Sequence, residues 1–171
     1  MVRCEALCPQ RSSRPSARPA ARSAGQRPGL RGTWPADVAT GFADHRAAEH
    51  PVSGAQSRLG TLNDQAVAAI LLVPGDPQFW PDDPPGEALY LHKLAVHPGR
   101  QGRGLSTPMI RAAVQATRAA ERPWLRLDTD AERPKLRSLY ERQGFLLVRE
   151  GHMDGWPAAW YELRVEERAR Q

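Results

Sequence analysis

The segment Val96-His-Pro-Gly-Arg-Gln-Gly-Arg-Gly-Leu-Ser106 joins two kinds of periodicity. Upstream of it, Ala88–Val96 (ALYLHKLAV) is a short apolar run of the length of a buried strand. Downstream, Met109, Ile110, Ala113, Val114 and Ala120 recur at helical spacing, with Arg111, Gln115, Arg118 and Arg122 on the opposite face. That pattern predicts a helix running to about Glu121. Pro108 falls in its first turn, where a missing N–H costs nothing. The segment therefore reads as a strand passing through a glycine turn into a helix.

Such a junction has chemistry of its own. The first N–H groups of a helix have no internal partner, and the peptide dipoles leave that end positive by about half a charge. Glycines let backbone approach an anion with no Cβ in the way, so Gln101–Ser106 suits a pyrophosphate. Taken alone these residues are equally well read as a glycine turn without a ligand. Two other phosphate motifs are excluded: no Gly-Lys-Ser/Thr is present, and Gly102-x-Gly104 lacks the third glycine and the downstream acid of a dinucleotide site.

Working outward, Ala66–Val73 is a continuous apolar run closed by Pro74-Gly75, and Arg58–Leu62 carries a weaker strand signal. Residues 74–87 are a Pro/Asp/Gly loop. Trp124–Asp128 (WLRLD) reads as a strand. Pro134–Arg142 reads as a second helix with Leu136, Leu139 and Tyr140 on one face, and Gly144 stands where a C-terminal cap belongs. Phe145–Arg149 and Ala159–Val165 read as two more strands, joined through Asp154-Gly155. The order predicts an α/β protein: a central twisted mixed sheet with two crossover helices.

The first 60 residues differ in kind. Residues 9–36 are rich in Arg, Pro, Ser, Ala and Gly, with prolines at 9, 15, 19, 28 and 35, and show neither strand alternation nor a helical stripe. They read as disordered. The prolines argue against an amphipathic transit peptide, and so abrupt a change is also what a mis-set gene start leaves. Residues 37–49 read as a short helix around Val38 and Phe42. The expected organisation is a low-complexity segment over 1–60 and a folded domain over 61–167.

Charge follows the same division. The net charge of +5 lies wholly in residues 1–60, with nine arginines against four acids; residues 61–171 balance at 15 and 15. The predicted domain thus exerts no net pull on nucleic acid or anionic membrane. Cys4 and Cys8 make neither a disulfide framework nor a zinc site, and fit a reducing cytoplasm. No apolar run approaches the ~20 residues of a membrane span, and residues 5–20 lack the apolar stretch of a secretory signal.

The run Leu94-Ala-Val-His-Pro with Gln101-x-x-Gly104-x-Ser106 resembles the coenzyme A signature of the GCN5-related N-acetyltransferases (GNAT), which reads Gln/Arg-x-x-Gly-x-Gly/Ala after a similar strand. Trp124-Leu-Arg-Leu-Asp-Thr-Asp followed by Pro134-Lys-Leu-Arg-Ser-Leu-Tyr-Glu-Arg-Gln-Gly-Phe145 is similar to that family's fifth strand and fourth helix. The resemblance covers about 62–165 and implies the acyl-CoA N-acyltransferase fold. It implies acetyl-CoA as acyl donor with no metal, and an amine on a small molecule or peptide as acceptor. Leu94, Ala95 and Val96 would hold the pantetheine arm through backbone groups. The amides of Gln101, Gly102, Arg103, Gly104, Leu105 and Ser106 would hold the pyrophosphate. Tyr140 matches the tyrosine that protonates the departing thiolate, or hydrogen-bonds it, since a phenol near pKa ~10 is a weaker acid than a thiol near ~8.5.

The base is left open. The position where some family members carry Glu is Tyr90 here, with Glu87 and His92 nearby; His92 is expected on the same strand face as Tyr90 and Leu94. Turn or capping roles are expected for Asp128 and Asp130. The sequence departs from the family pattern at Ser106, which is expected to help start the helix, and at Arg133, where Asn is usual. Residues 1–60 also do not read as the family's first strand, two helices and second strand. Three functions follow, in order: an N-acetyltransferase, an acyl-CoA-binding remnant, and a nonspecific binder of acidic partners through the Arg-rich segment. The C-terminal strands offer an edge for a homodimer.

Overall fold

In the computed structural model the described residues are 3–6 and 54–165. They form one seven-stranded sheet carrying two helices. In chain order the strands are β1 (Arg3–Ala6), β2 (Gln56–Leu62), β3 (Gln65–Val73), β4 (Ala88–Val96), β5 (Trp124–Asp130), β6 (Leu146–Met153) and β7 (Trp156–Arg164). Helix α1 is Ser106–Ala119 and α2 is Pro134–Arg142. The spatial order is β1-β2-β3-β4-β5-β7-β6. All neighbours are antiparallel except β4 and β5, the pair that α1 crosses over to connect.

The expected mixed sheet with crossover helices is present, and β4 and α2 have the expected bounds. The edges differ. Residues 3–6 give no strand signal yet pair with Arg58–Thr61, and β2 begins at Gln56, so the sheet takes in residues on both sides of position 61. Phe145 is not in β6 but lies fully buried in the core just before it. The predicted helix over 37–49 lies outside the described residues.

Strand alternation divides the apolar residues between two faces. Ala68, Ile70, Leu72, Leu89, Leu91, Leu125, Leu127, Ala159 and Tyr161 face the helices and pack on Met109, Ile110, Ala113 and Tyr140. Each fully buried Leu or Ile here contributes roughly 1.5–3 kcal/mol. On the other face Leu71, Val73, Ala88, Tyr90 and Trp160 are covered by Trp80 from the loop after β3. That loop is held down by hydrogen bonds from Trp160 Nε1 and Arg149 Nη2 to the Phe79 carbonyl, both 2.9 Å. The rings of Trp80 and Trp160 thus pack over the sheet, whereas Trp156 is exposed.

Two irregularities shape the centre of the sheet. β4 and β5 pair only at Ala88–Trp124, Leu89–Leu125 and Tyr90–Arg126. Past that point β4 follows β3 to Val96, and β5 follows β7 to Asp130. The register between β3 and β4 slips at the same place: Leu72 faces Leu91 and Leu71 faces Lys93, leaving His92 as the extra residue of a bulge. A bulge bends the strand that carries it, which turns β4 away from β5.

Candidate active site

Where β4 leaves β5, the backbone of Leu91–Val96 keeps one hydrogen-bonding edge on β3 and turns the other to the opening. Leu94, Ala95 and Val96 all lie here, each half-buried, with Leu94 and Val96 packed toward the helix side. The bulge changes the parity of the strand. Tyr90 belongs to the Trp80 cluster while Leu94 packs under the helices, so the expectation that both share a face with His92 is corrected.

The strand then runs through a short 3-10 turn, Pro98–Arg100, whose first turn is closed by the Gly99 N–H donating to His97 Nδ1 at 3.2 Å. Gly102 and Gly104 follow with φ of +73° and +72°. Left-handed backbone of this kind favours glycine, and a Cβ at either position would meet nothing within 4 Å. The glycines are therefore required by the turn of the chain and not by crowding, and the space above them is open. Among the described residues, the amides of Gly102, Arg103, Gly104, Leu105 and Ser106 donate to no backbone acceptor. Helix α1 begins without a side-chain cap and without an acid in its first turn. Ser106 is the first residue of the helix, as expected; the cap position before it is held by Leu105, already in helical geometry. The positive end of α1 thus has no acid of its own in the first turn to offset the helix dipole.

Tyr140 lies on the helix face of the sheet, in the core. Its ring is buried at 6% exposure, edge-on to Phe145 and tilted against Tyr161. α2 is anchored beside it. Arg137 Nε donates to Tyr161 Oη at 3.0 Å, Tyr161 donates to Glu141 at 2.9 Å, and Arg137 also pairs with Glu150. Gln143 ties the end of α2 to Thr107 at the start of α1, 3.4 Å away. Burial, then the charge of Asp128, pushes the Tyr140 phenol up to about 12, against a smaller opposing pull from Arg133. The group stays protonated at neutral pH and is suited to donating a hydrogen bond. Arg133 stands exposed at the cap position of α2 and makes no side-chain capping bond.

Opposite the helices, Asp76, His92 and Asp128 converge from the loop after β3, the bulge in β4, and β5. One ligand atom of each lies within 4.8 Å of the other two. His92 Nδ1 is 3.7 Å from an Asp76 oxygen. Burial, reinforced by the charge of Asp76, raises the Asp128 carboxyl to about 6. Burial also raises Asp76, against a backbone hydrogen bond from Phe79, and lowers His92, with Lys93 adding to that effect. The turn role expected of Asp128 is corrected: it lies within β5, half-buried. Asp130 does make the expected turn, accepting from the Glu132 N–H at 2.9 Å. Tyr90, at the position where a family base is sometimes found, is bonded to Asp83, and its phenol is raised far above its usual range by burial and that carboxylate. Glu87 sits at the end of β4 that remains paired with β5, away from the opening.

The sequence model of the acetyltransferase (GNAT) family matches residues 29–145. The chain belongs to this family. A curated relative, the uncharacterized N-acetyltransferase YesJ of Bacillus subtilis, is 32% identical over 109 residues, which span 61% of this chain and 57% of that protein. Among solved structures, a GNAT-family acetyltransferase from Desulfovibrio desulfuricans superposes with a TM-score of 0.60 at 25% identity, covering 77% of this chain and 81% of its own. YncA of Salmonella typhimurium, an acetyltransferase solved with its cofactor acetyl-CoA, superposes with a TM-score of 0.58 at 14% identity, covering 78% and 77%. That likeness is one of fold. Among the described residues, no helix is long and apolar enough to cross a membrane.

Proposed function

We propose that this GNAT chain transfers the acetyl group of acetyl-CoA to a primary amine. The observation that carries it is the parting of β4 from β5 directly upstream of an uncapped helix end preceded by two left-handed glycines. A long, thin, anionic acyl donor fits that arrangement in one orientation. Its pyrophosphate would accept hydrogen bonds from the Gly102–Ser106 amides. Its arm would pair with the unused edge of Leu94–Val96, in place of the strand that has moved away. Its thioester would then lie at the parting, with Tyr140 on the helix side. A backbone N–H of β4 beside the thioester would meet the oxygen that gains charge during attack. Tyr140 would hydrogen-bond the leaving sulfur.

Ser106→Glu tests this directly. A carboxylate in the first turn of α1 favours the helix through its dipole, by roughly 0.3–1 kcal/mol, but occupies the place of the pyrophosphate. Calorimetry with acetyl-CoA is expected to show micromolar binding by the parent chain and at least a hundredfold loss in the variant, with the melting temperature unchanged or higher. Equal affinity in both would reject the cofactor site.

A further inference from the structure

We infer that Asp76, His92 and Asp128 form the cradle that receives the acceptor as a primary alkyl ammonium, and that Asp128 takes its proton. This rests on the acetyltransferase reading above and adds to it the class of acceptor and the identity of the base.

Three observations support it. The first is number and spacing. The three atoms lie within 4.8 Å of one another, so one nitrogen seated over them reaches all three at about 2.8 Å, an ordinary hydrogen-bond length. A primary ammonium carries three N–H donors, as a lysine head does. The second is charge. Asp76 and Asp128 are both raised by burial, and Asp128 further by the charge of Asp76. The neighbouring arginines are engaged elsewhere: Arg126 with Asp83 and Glu162, and Arg149 over the Trp160 ring. Two desolvated carboxylates this close to one another favour a cation between them.

The third is place. Asp128 shares the strand face of Arg126 and Trp124, away from the helices, yet its charge raises Tyr140 on the helix side. The cradle and Tyr140 therefore flank the parting of β4 and β5 from opposite faces. Donor and acceptor can enter from different sides and meet there. The bulge at His92 gives that side chain its position on β4, an extra residue at the level where the strands separate.

The bound ammonium gives one proton to the Asp128 carboxylate, leaving a neutral amine with a free pair. The C–N bond forms, the C–S bond breaks, and the thiolate leaves. The nitrogen loses its second proton to become an amide nitrogen. One proton ends on sulfur and the other passes to solvent. The ionisable groups facing Asp128 are Asp76 from the loop, His92 from β4 and Tyr140 from α2, with Arg133 beside Tyr140; β7 presents Trp160 in register. An arylamine, neutral at pH 7, would gain nothing from the two carboxylates.

The test uses the full chain loaded with coenzyme A, titrated with n-butylammonium and with n-butanol while the His92 ring is followed by NMR. Butylammonium is expected to shift His92 saturably and butanol to have no effect. Asp128→Asn is expected to weaken the ammonium at least tenfold with acetyl-CoA affinity intact, and Asp76→Asn to do the same. With butylamine as acceptor, the acidic limb of the kcat/KM profile is expected to disappear in Asp128→Asn. No response to butylammonium, or a response in either variant as strong as the parent's, would overturn the proposal. So would tight Zn²⁺ binding at a cluster indifferent to the amine. Ammonium binding without any acetyl-CoA binding would instead retire the acetyltransferase reading and leave the cation cradle standing.

Discussion

Tyr90 and Arg126 face each other across the last rung joining β4 to β5, and one carboxylate holds both. Asp83 accepts from Tyr90 Oη at 2.5 Å and from Arg126 Nη1 at 2.6 Å. Arg126 is fixed further by Glu162 at 3.2 Å and lies over the rings of Trp80 and Trp124. The point at which the sheet divides is therefore pinned from the loop that also supplies Asp76.

Removing that pin is expected to be costly. Asp83→Ala leaves a half-buried guanidinium with Glu162 as its remaining acid and a buried phenol with only Arg126 beside it, a loss on the order of 3 kcal/mol. Asp83→Asn keeps an acceptor for Tyr90 and is expected to lose about half as much. Urea denaturation should show lower midpoints with an unchanged slope. An Asp83→Ala protein within 0.5 kcal/mol, roughly the effect of an ordinary surface substitution, would mean the network contributes little.

The chain's three tyrosines, Tyr90, Tyr140 and Tyr161, are all buried in the fold and all raised above their ordinary value, in each case chiefly by burial. A group whose folded pKa is raised adds stability that is present below its unfolded pKa and is lost as pH climbs toward the folded one. Stability is thus expected to hold to about pH 10 and then fall steeply. Absorbance at 295 nm should show no tyrosinate before the unfolding transition and three within it. A tyrosine ionising near pH 10 in folded protein would contradict the packing described.

Tyr140→Phe separates packing from chemistry. The ring is buried against Phe145 and Tyr161, and its hydroxyl makes no hydrogen bond to another described side chain. The variant is expected to keep its stability to within about 1 kcal/mol. Turnover is expected to fall about a hundredfold, the lower end of the range for a single hydrogen bond to a developing charge, with acetyl-CoA affinity unchanged. Unchanged turnover would leave Tyr140 a core aromatic only.

Much of this was legible beforehand, and the limits have physical causes. β4 and α2 could be bounded to the residue because Pro98 and Pro134 punctuate them and Gly144, at φ +91°, takes the left-handed cap position. The turn into α1 was legible from Gly102 and Gly104, both of which take left-handed backbone. β1 gave no signal, because four residues whose pairing depends on β2 carry no period of their own. The parity change at His92 was invisible too: it arises from a register slip against β3, which strict alternation cannot anticipate. Asp128 was misread for the same reason. Next to Asp130 it looks like a turn residue, and its partners Asp76 and His92 come from other elements.

Asp128 should therefore weaken the fold it serves. Its carboxyl is raised from 3.8 to about 6, first by burial and then by Asp76. The stability belongs to the neutral form: it is fully present below the unfolded pKa near 4 and is lost as pH rises through about 6. Two units correspond to roughly 3 kcal/mol. Asp128→Asn holds the neutral shape at every pH, and its amide can donate to Asp76. The variant is expected to match the parent at pH 4 and to exceed it by about 2–3 kcal/mol at pH 7.5, with acceptor turnover lost. Thermal melts of both proteins at the two pH values check this. A variant less stable than the parent at pH 7.5 would show that the ionised carboxylate is already satisfied within the fold, and would remove the electrostatic reason for an incoming cation.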